Sequence, residues 1–322
     1  MENLVSRPCN YLEDQEQISQ LLVSYRLATS LCTYPTVWRL RLLLSSRVWD
    51  AAQDARIWEN KAGQVIGLAM LWRRQPASPY LVLDRFLHPA YGNDFLVETM
   101  LAWGDRRAHD IVDPQKIDLA VYASGFAPGL GWRDPLESFG YKPVVPEPLD
   151  QNVYFSRSLG NDLPEPILPP GYSIHPLRGP EELEAYRSIS SFAAVNPQHQ
   201  RELLESDEYS FLIVVNPQGA LVAYCEHSIC RAEWQGNKPR IGWIDYIETR
   251  AEEQGRGLGR AVLYAGLARL REWGADTVML VTVSGNSPAI SLYSRTGFVQ
   301  VSVPEAPRYE KHITVGDISS EA

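Results

Sequence analysis

Gln254-Gly255-Arg256-Gly257-Leu258-Gly259-Arg260 stands between two stretches of different period. Before it, Ile241-Gly242-Trp243-Ile244-Asp245-Tyr246-Ile247 is β-branched and aromatic, the composition of a strand. After it, Ala261, Val262, Ala265, Ala268 and Trp273 recur at helical spacing. A glycine-rich turn therefore feeds a helix. Glycines at alternate positions let the backbone approach a ligand closely, and the helix start offers unpaired N–H groups and a partial positive charge, which together suit a pyrophosphate. Arg256 and Arg260 add charge where phosphates would lie.

Spacing narrows the choice among phosphate-binding devices. An ATPase-type loop needs Lys-Ser/Thr after its last glycine, and here Gly259 is followed by Arg260-Ala261. A dinucleotide fingerprint needs a third glycine at 260 or 262, where the chain has Arg260 and Val262. The pattern that fits is Q/R-x-x-G-x-G/A, filled by Gln254, Gly257 and Gly259. A second run, Asn286-Ser287-Pro288-Ala289-Ile290-Ser291-Leu292-Tyr293-Ser294-Arg295-Thr296-Gly297-Phe298, follows the strand-like Val278 to Val283.

These two signatures resemble those of the GNAT superfamily of acyl-CoA-dependent N-acyltransferases, with the resemblance covering Phe211 to Phe298. It implies acetyl-CoA as cosubstrate, bound by the loop from Gln254 through Gly255, Arg256, Gly257, Leu258 and Gly259 to Arg260, by main-chain groups of Ile247, Glu248 and Thr249, and by Asn286. It also implies Tyr293 as general acid for the leaving thiolate. In many members a carboxylate on the central strand is the base; Asp245 is the first candidate here and Glu248 the second, and the common position for such a glutamate holds Trp243. If the strand is regular, Trp243, Asp245, Ile247 and Thr249 share one face, and a bulge resets that register.

The first half repeats the order of elements. Gln15 to Thr29 and Trp38 to Trp49 read as helices. Ala55 to Asn60 and Gln64 to Trp72 bracket the hairpin turn Lys61-Ala62-Gly63. Leu81 to Leu87 is a strand, Asp94 to His109 a helix capped by Asn93 or Asp94, Ile117 to Tyr122 a strand and Pro135 to Phe139 a short helix. One glycine, Gly92, replaces the three of the later loop, and Leu136 stands where the other copy has Tyr293. Leucine has no proton to donate, so this half resembles a degenerate, non-catalytic copy.

Four prolines and two glycines between Leu159 and Gly171 exclude regular structure there and suggest a boundary. The expectation is an α+β chain with two GNAT-like domains, each a mixed, mostly antiparallel sheet flanked by helices: residues 1–160, a linker at 161–170 and an acyl-CoA-binding domain at 171–322. Helices at Glu181 to Ser191 and Gln198 to Ser206 lie where the family places its acceptor, with Phe192, Asn196 and His199 as candidates to face it.

The composition fits such a chain. With 322 residues, 45% hydrophobic and 21% charged, it has material for two packed cores. A net charge of −9 argues against nucleic acid or an anionic membrane as partner. No apolar run is long enough to span a bilayer and Met1 to Arg7 lacks a signal-peptide pattern, so a cytoplasmic monomer or homodimer is expected. The four cysteines do not suggest a disulfide framework, and Cys225, His227 and Cys230 match no usual zinc spacing, so no metal is expected.

The acceptor is expected to be a small-molecule amine. Mycothiol synthases share the tandem layout, which alone does not assign their substrate. A catalytically silent acyl-CoA-binding or regulatory protein and a peptide or protein N-acetyltransferase remain as alternatives.

Overall fold

A computed structural model of the chain describes residues 4–45, 50–73, 78, 80–115, 118–126, 130, 134–145, 147–148, 150–160, 162–189, 202 and 204–314. Phe192, Asn196 and His199 lie outside them, as does most of the helix expected at 198–206. The described residues form two units, each with a seven-stranded sheet: Met1–Thr33, Leu43–Pro146 and Pro304–Ala322 in the first, Tyr34–Leu42 and Glu147–Val303 in the second.

In the first unit β1 (Val5–Pro8), β2 (Ala55–Glu59), β3 (Val65–Trp72) and β4 (Tyr80–Leu87) pair antiparallel in turn, and β4 pairs parallel with β5 (Leu119–Ser124). Gly63 makes the β2–β3 turn with φ +75°, as the hairpin pattern requires. Helices α1 (Tyr11–Ala28), α3 (Ala51–Asp54) and α4 (Asp94–Gln115) belong to this unit, and α2 (Val37–Leu44) begins in the other. Leu96, Val97, Met100 and Leu101 of α4 recur at helical spacing, and all are buried against Leu83, Leu87 and Val121 of the sheet.

The second sheet runs β13 (Val299–Val301), β7 (Asn152–Ser158), β12 (Thr277–Val283), β11 (Ile241–Thr249), β10 (Leu221–Ile229), β9 (Tyr209–Val215), β8 (Ser173–Pro176). All pairs are antiparallel except β11–β12. Every residue of β10 is buried, because both faces are covered. On one side α6 (Leu258–Glu272) and α7 (Ser287–Arg295) pack over Cys225, Ile244, Val278 and Leu280. Gly266 permits the close approach of α6: a Cβ there would lie 3.0 Å from Cys225 Sγ. On the other side Trp38 and Leu42, with α5 (Gly179–Arg187), cover Tyr209, Phe211, Ile213 and Tyr224.

The division at 161–170 expected from sequence differs from this partition. β7 precedes the proline-rich stretch, yet pairs with β12 along all seven of its residues, from Ser158↔Thr277 to Asn152↔Val283. β14 (Arg308–Ile313) follows the second half and inserts between β5 and β6 (Lys142–Val144) of the first sheet. The prolines mark a connection, while strand pairing marks the units.

Candidate active site

The central strand parts from its parallel neighbour. β11 pairs with β12 only at Ile241↔Thr277, Gly242↔Val278 and Trp243↔Met279, although β11 runs on to Thr249 and β12 to Val283. Beyond Trp243 the β12-side edge of β11 has no ladder partner among the described residues, while its other edge stays paired to β10 through Thr249↔Ala223. Main-chain N–H and C=O groups along that edge are suited to an extended ligand that adds like a strand.

At the end of β11 the loop turns twice through left-handed glycine, Gly255 at φ +78° and Gly257 at φ +82°. Gly257 caps α6 without a side chain, and the first intrahelical bond is Ala261 N–H to Gly257 O at 3.0 Å. The N–H groups of Leu258, Gly259 and Arg260 therefore precede the helical ladder and suit an anion. Gly259 faces Thr249 Oγ1 and Leu292 with room for a methyl group, at 3.5 and 3.8 Å from a Cβ built there. Gln254 Nε2 donates to Thr249 O at 3.1 Å and ties the loop back to the strand. The two arginines differ. Arg256 donates to Tyr172 Oη at 2.9 Å and pairs with Glu253 at 3.3 Å, whereas the tip of Arg260 lies 3.9 Å from a Cβ built on Gly257 and has no ion pair among the described residues.

A one-residue bulge interrupts the β10–β11 ladder: Glu226 faces Tyr246 and His227 faces Ile244, leaving Asp245 as the extra residue. The regular alternation expected from sequence is reset there. Ile244 and Ile247 pack on the α6 side, while Tyr246 joins Tyr224 and Tyr186 on the opposite side. Asp245 belongs with that second face: its Oδ1 accepts from Thr36 Oγ1 at 3.0 Å, and among the described residues its closed-off Oδ2 has no partner. Burial pushes the Asp245 carboxyl up to about 7; hydrogen bonds from Ser228 and Thr36 and the charge of Arg39 pull against this, and the charge of Glu226 adds to it. Glu248 accepts from Tyr224 Oη at 3.0 Å.

Glu226 is 1% exposed and receives two phenol donors, Tyr186 at 2.5 Å and Tyr209 at 2.6 Å. Burial raises its carboxyl, opposed by those bonds and by Arg39. Sequence reading missed Glu226, Thr36 and Arg39. A carboxylate directly after the apolar run Leu221 to Cys225 is a signal for Glu226; Thr36, 209 positions from Asp245, carries none.

Tyr293 is buried on α7, between Phe155 and Phe298. Burial raises its phenol, with Cys225 and Tyr246 nearby adding to the shift, so it holds its proton at neutral pH. Asn286 caps α7, its Oδ1 accepting from Ala289 N–H at 3.3 Å.

The first unit differs at each corresponding place. β4 pairs with β5 through Leu83↔Ala123, and just beyond, Arg85 bonds Ser124 O at 2.9 Å and Asp134 at 3.0 Å, with its guanidinium over Phe126. Asn93 Oδ1 takes the N–H of Leu96 at 2.9 Å, so a side chain occupies the start of α4 that Gly257 leaves open in α6.

Residues 174–298 match the sequence model of the Acetyltransferase (GNAT) family. Among curated relatives, a mycothiol acetyltransferase of Pseudarthrobacter chlorophenolicus is 29% identical over 68% of this chain and 67% of that protein. One of Sanguibacter keddieii is 28% identical over 80% and 82%. A tandem GNAT protein from the clavulanic acid biosynthesis pathway shares the fold with a TM-score of 0.61 at 16% identity, covering 96% of this chain and 98% of that one. A GCN5-related N-acetyltransferase from Sphaerobacter thermophilus gives 0.55 at 19% identity, covering 97% and 96%. Among the described residues no helix is long and apolar enough to cross a membrane.

Proposed function

Because this chain is an acyltransferase that carries a GNAT acetyltransferase domain over residues 174–298, we propose that it transfers the acetyl group of acetyl-CoA to a small-molecule amine in a ternary complex, the amine being the unacetylated form of mycothiol. The observation that carries the reaction type is the parting of β11 from β12 past Trp243, beyond which β11 runs on towards the glycine loop without a β12 ladder partner among the described residues. The names of the relatives at 29% and 28% identity support the acceptor.

Each residue has a task in this reading. Unpaired N–H groups at the start of α6, together with Arg260, bind the pyrophosphate of acetyl-CoA. Main-chain groups of Ile247, Glu248 and Thr249 hold its extended arm and polarise the thioester carbonyl. Asp245 takes the proton from the acceptor ammonium, so that the free amine attacks the carbonyl carbon. Tyr293 gives its proton to the sulfur as the C–S bond breaks, and solvent restores it. Asp245, with a carboxyl near 7, is better matched to taking a proton at neutral pH than an ordinary carboxylate. Glu248, already bonded to Tyr224, shapes the same face.

The first unit serves as a non-catalytic partner in this account. Arg85 spans the point where β4 and β5 part, Asn93 caps α4, and Leu136 replaces a proton donor.

Turnover tests the proposal. Purified protein with acetyl-CoA and the unacetylated acceptor is expected to form mycothiol and free CoA in equal amounts, with a rate that climbs as pH rises through about 7 and falls on Asp245→Asn. CoA release with a broad amine panel but not with this acceptor would keep the acetyltransferase and reject the substrate. No transfer to any amine would reject both in favour of a silent acyl-CoA-binding protein.

A further inference from the structure

Residues Tyr34–Leu42 lie in the first half of the sequence yet belong to the second unit. Thr36 immediately precedes α2 and caps it: Oγ1 accepts the N–H of Arg39 at 3.1 Å, and its carbonyl accepts the N–H of Leu40 at 3.0 Å. A hydroxyl carries one proton. Since the Arg39 bond uses the oxygen as acceptor and Asp245 offers only an acceptor when ionised, the 3.0 Å link from Thr36 Oγ1 to Asp245 Oδ1 is one in which threonine donates. Helix N–H, hydroxyl and carboxylate thus form a polarised chain, with Thr36 4% exposed.

Asp245 needs such a partner. As the extra residue of the bulge it faces no residue across the β10–β11 ladder, so the sheet alone does not aim its side chain. We propose that Tyr34–Leu42 is a positioning element of the catalytic site, in which Thr36 fixes the Asp245 carboxylate through Oδ1. The inference rests on Asp245 being the base. Trp38 anchors the element, its Nε1 donating to Ile229 O at 2.9 Å and its ring lying 5.5 Å from that of Tyr209.

The groups acting on Asp245, beside Thr36, are Arg39 from α2, Cys225, Glu226 and Ser228 from β10, and Tyr209 from β9, with Glu226 itself bonded to Tyr186 of α5 and influenced by Glu248 of β11. Within that set Ser228, the Thr36 hydroxyl, Arg39 and the start of α2 favour the charged carboxylate. Losing the donor therefore moves its titration upward.

The test follows the Asp245 carboxyl carbon by NMR in full-length protein labelled at aspartate, assigned by its absence in Asp245→Asn. Thr36→Val is expected to raise the midpoint by about one pH unit, and Thr36→Ser, which keeps the donor, to leave it in place. Thr36→Gly, which caps helices almost as well as threonine, covers the case in which the valine variant fails to fold. Acetyl-CoA binding by calorimetry is expected to be unchanged in all three. An unmoved midpoint in the folded Thr36→Val or Thr36→Gly protein overturns the positioning role while the base assignment stands. Full turnover by Asp245→Asn overturns the base assignment, and this inference with it.

Discussion

The ring of Tyr293 on α7 stands 5.8 Å from that of Phe155 on β7, tilted by 55°. The phenol is therefore held by a strand that precedes the proline-rich stretch, and its packing is separable from its proton. Tyr293→Phe keeps the ring contacts and removes only the hydroxyl. Its melting temperature is expected to stay close to that of the parent, while kcat falls about 100-fold, the lower range for loss of a general acid. A rate within a factor of about two of the parent would remove Tyr293 from the acid role.

Gly257 and Gly259 separate conformational need from space. Gly257 sits at φ +82°, where an L side chain costs about 1–2 kcal/mol, while Gly259 faces neighbours at ordinary contact distance. Gly257→Ala is expected to weaken acetyl-CoA binding about 10-fold or more and Gly259→Ala to leave it near the parent value. Equal effects of the two substitutions would show that the loop does not depend on this backbone geometry.

His227 makes the fold acid-sensitive. The ring is buried beside Trp273, 5.2 Å away, and burial lowers its pKa from 6.5 to about 3. The unfolded chain takes up this proton near pH 6.5 and the folded one does not, so the stabilising contribution is complete above 6.5 and is lost as pH falls towards 3. The slope is about 1.4 kcal/mol per pH unit. Between pH 6.5 and 5, His227→Leu is expected to lose roughly 2 kcal/mol less unfolding free energy than the parent, measured by urea titration. Identical losses would place the titrating group elsewhere.

Much of this was legible in the sequence because local patterns record local geometry. Gly255 and Gly257 are needed for positive φ, the Asn286 to Phe298 run is a capped helix ending in a turn, and Lys61-Ala62-Gly63 is a hairpin. What escaped depends on pairing between distant segments. Nothing in Asn152 to Ser158 says that it inserts beside β12 rather than in its own half's sheet, and nothing in Arg308 to Ile313 sends it back to β5. The bulge at Asp245 is fixed by its alignment with β10, so alternation along β11 alone does not locate it. Thr36 was illegible for the same reason: a threonine before a helix reads as a cap, and only the tertiary fold brings Asp245 to it.

The central claim is one working acyl-CoA site, formed by the loop from Gln254 to Arg260 and the open edge of β11. Calorimetric titration of the full-length chain with acetyl-CoA, read for stoichiometry, tests it most directly. The account predicts one site per chain, abolished by Gly257→Glu and retained when Arg85 is replaced by Met. Two equal sites, or a single site that survives Gly257→Glu, would contradict it.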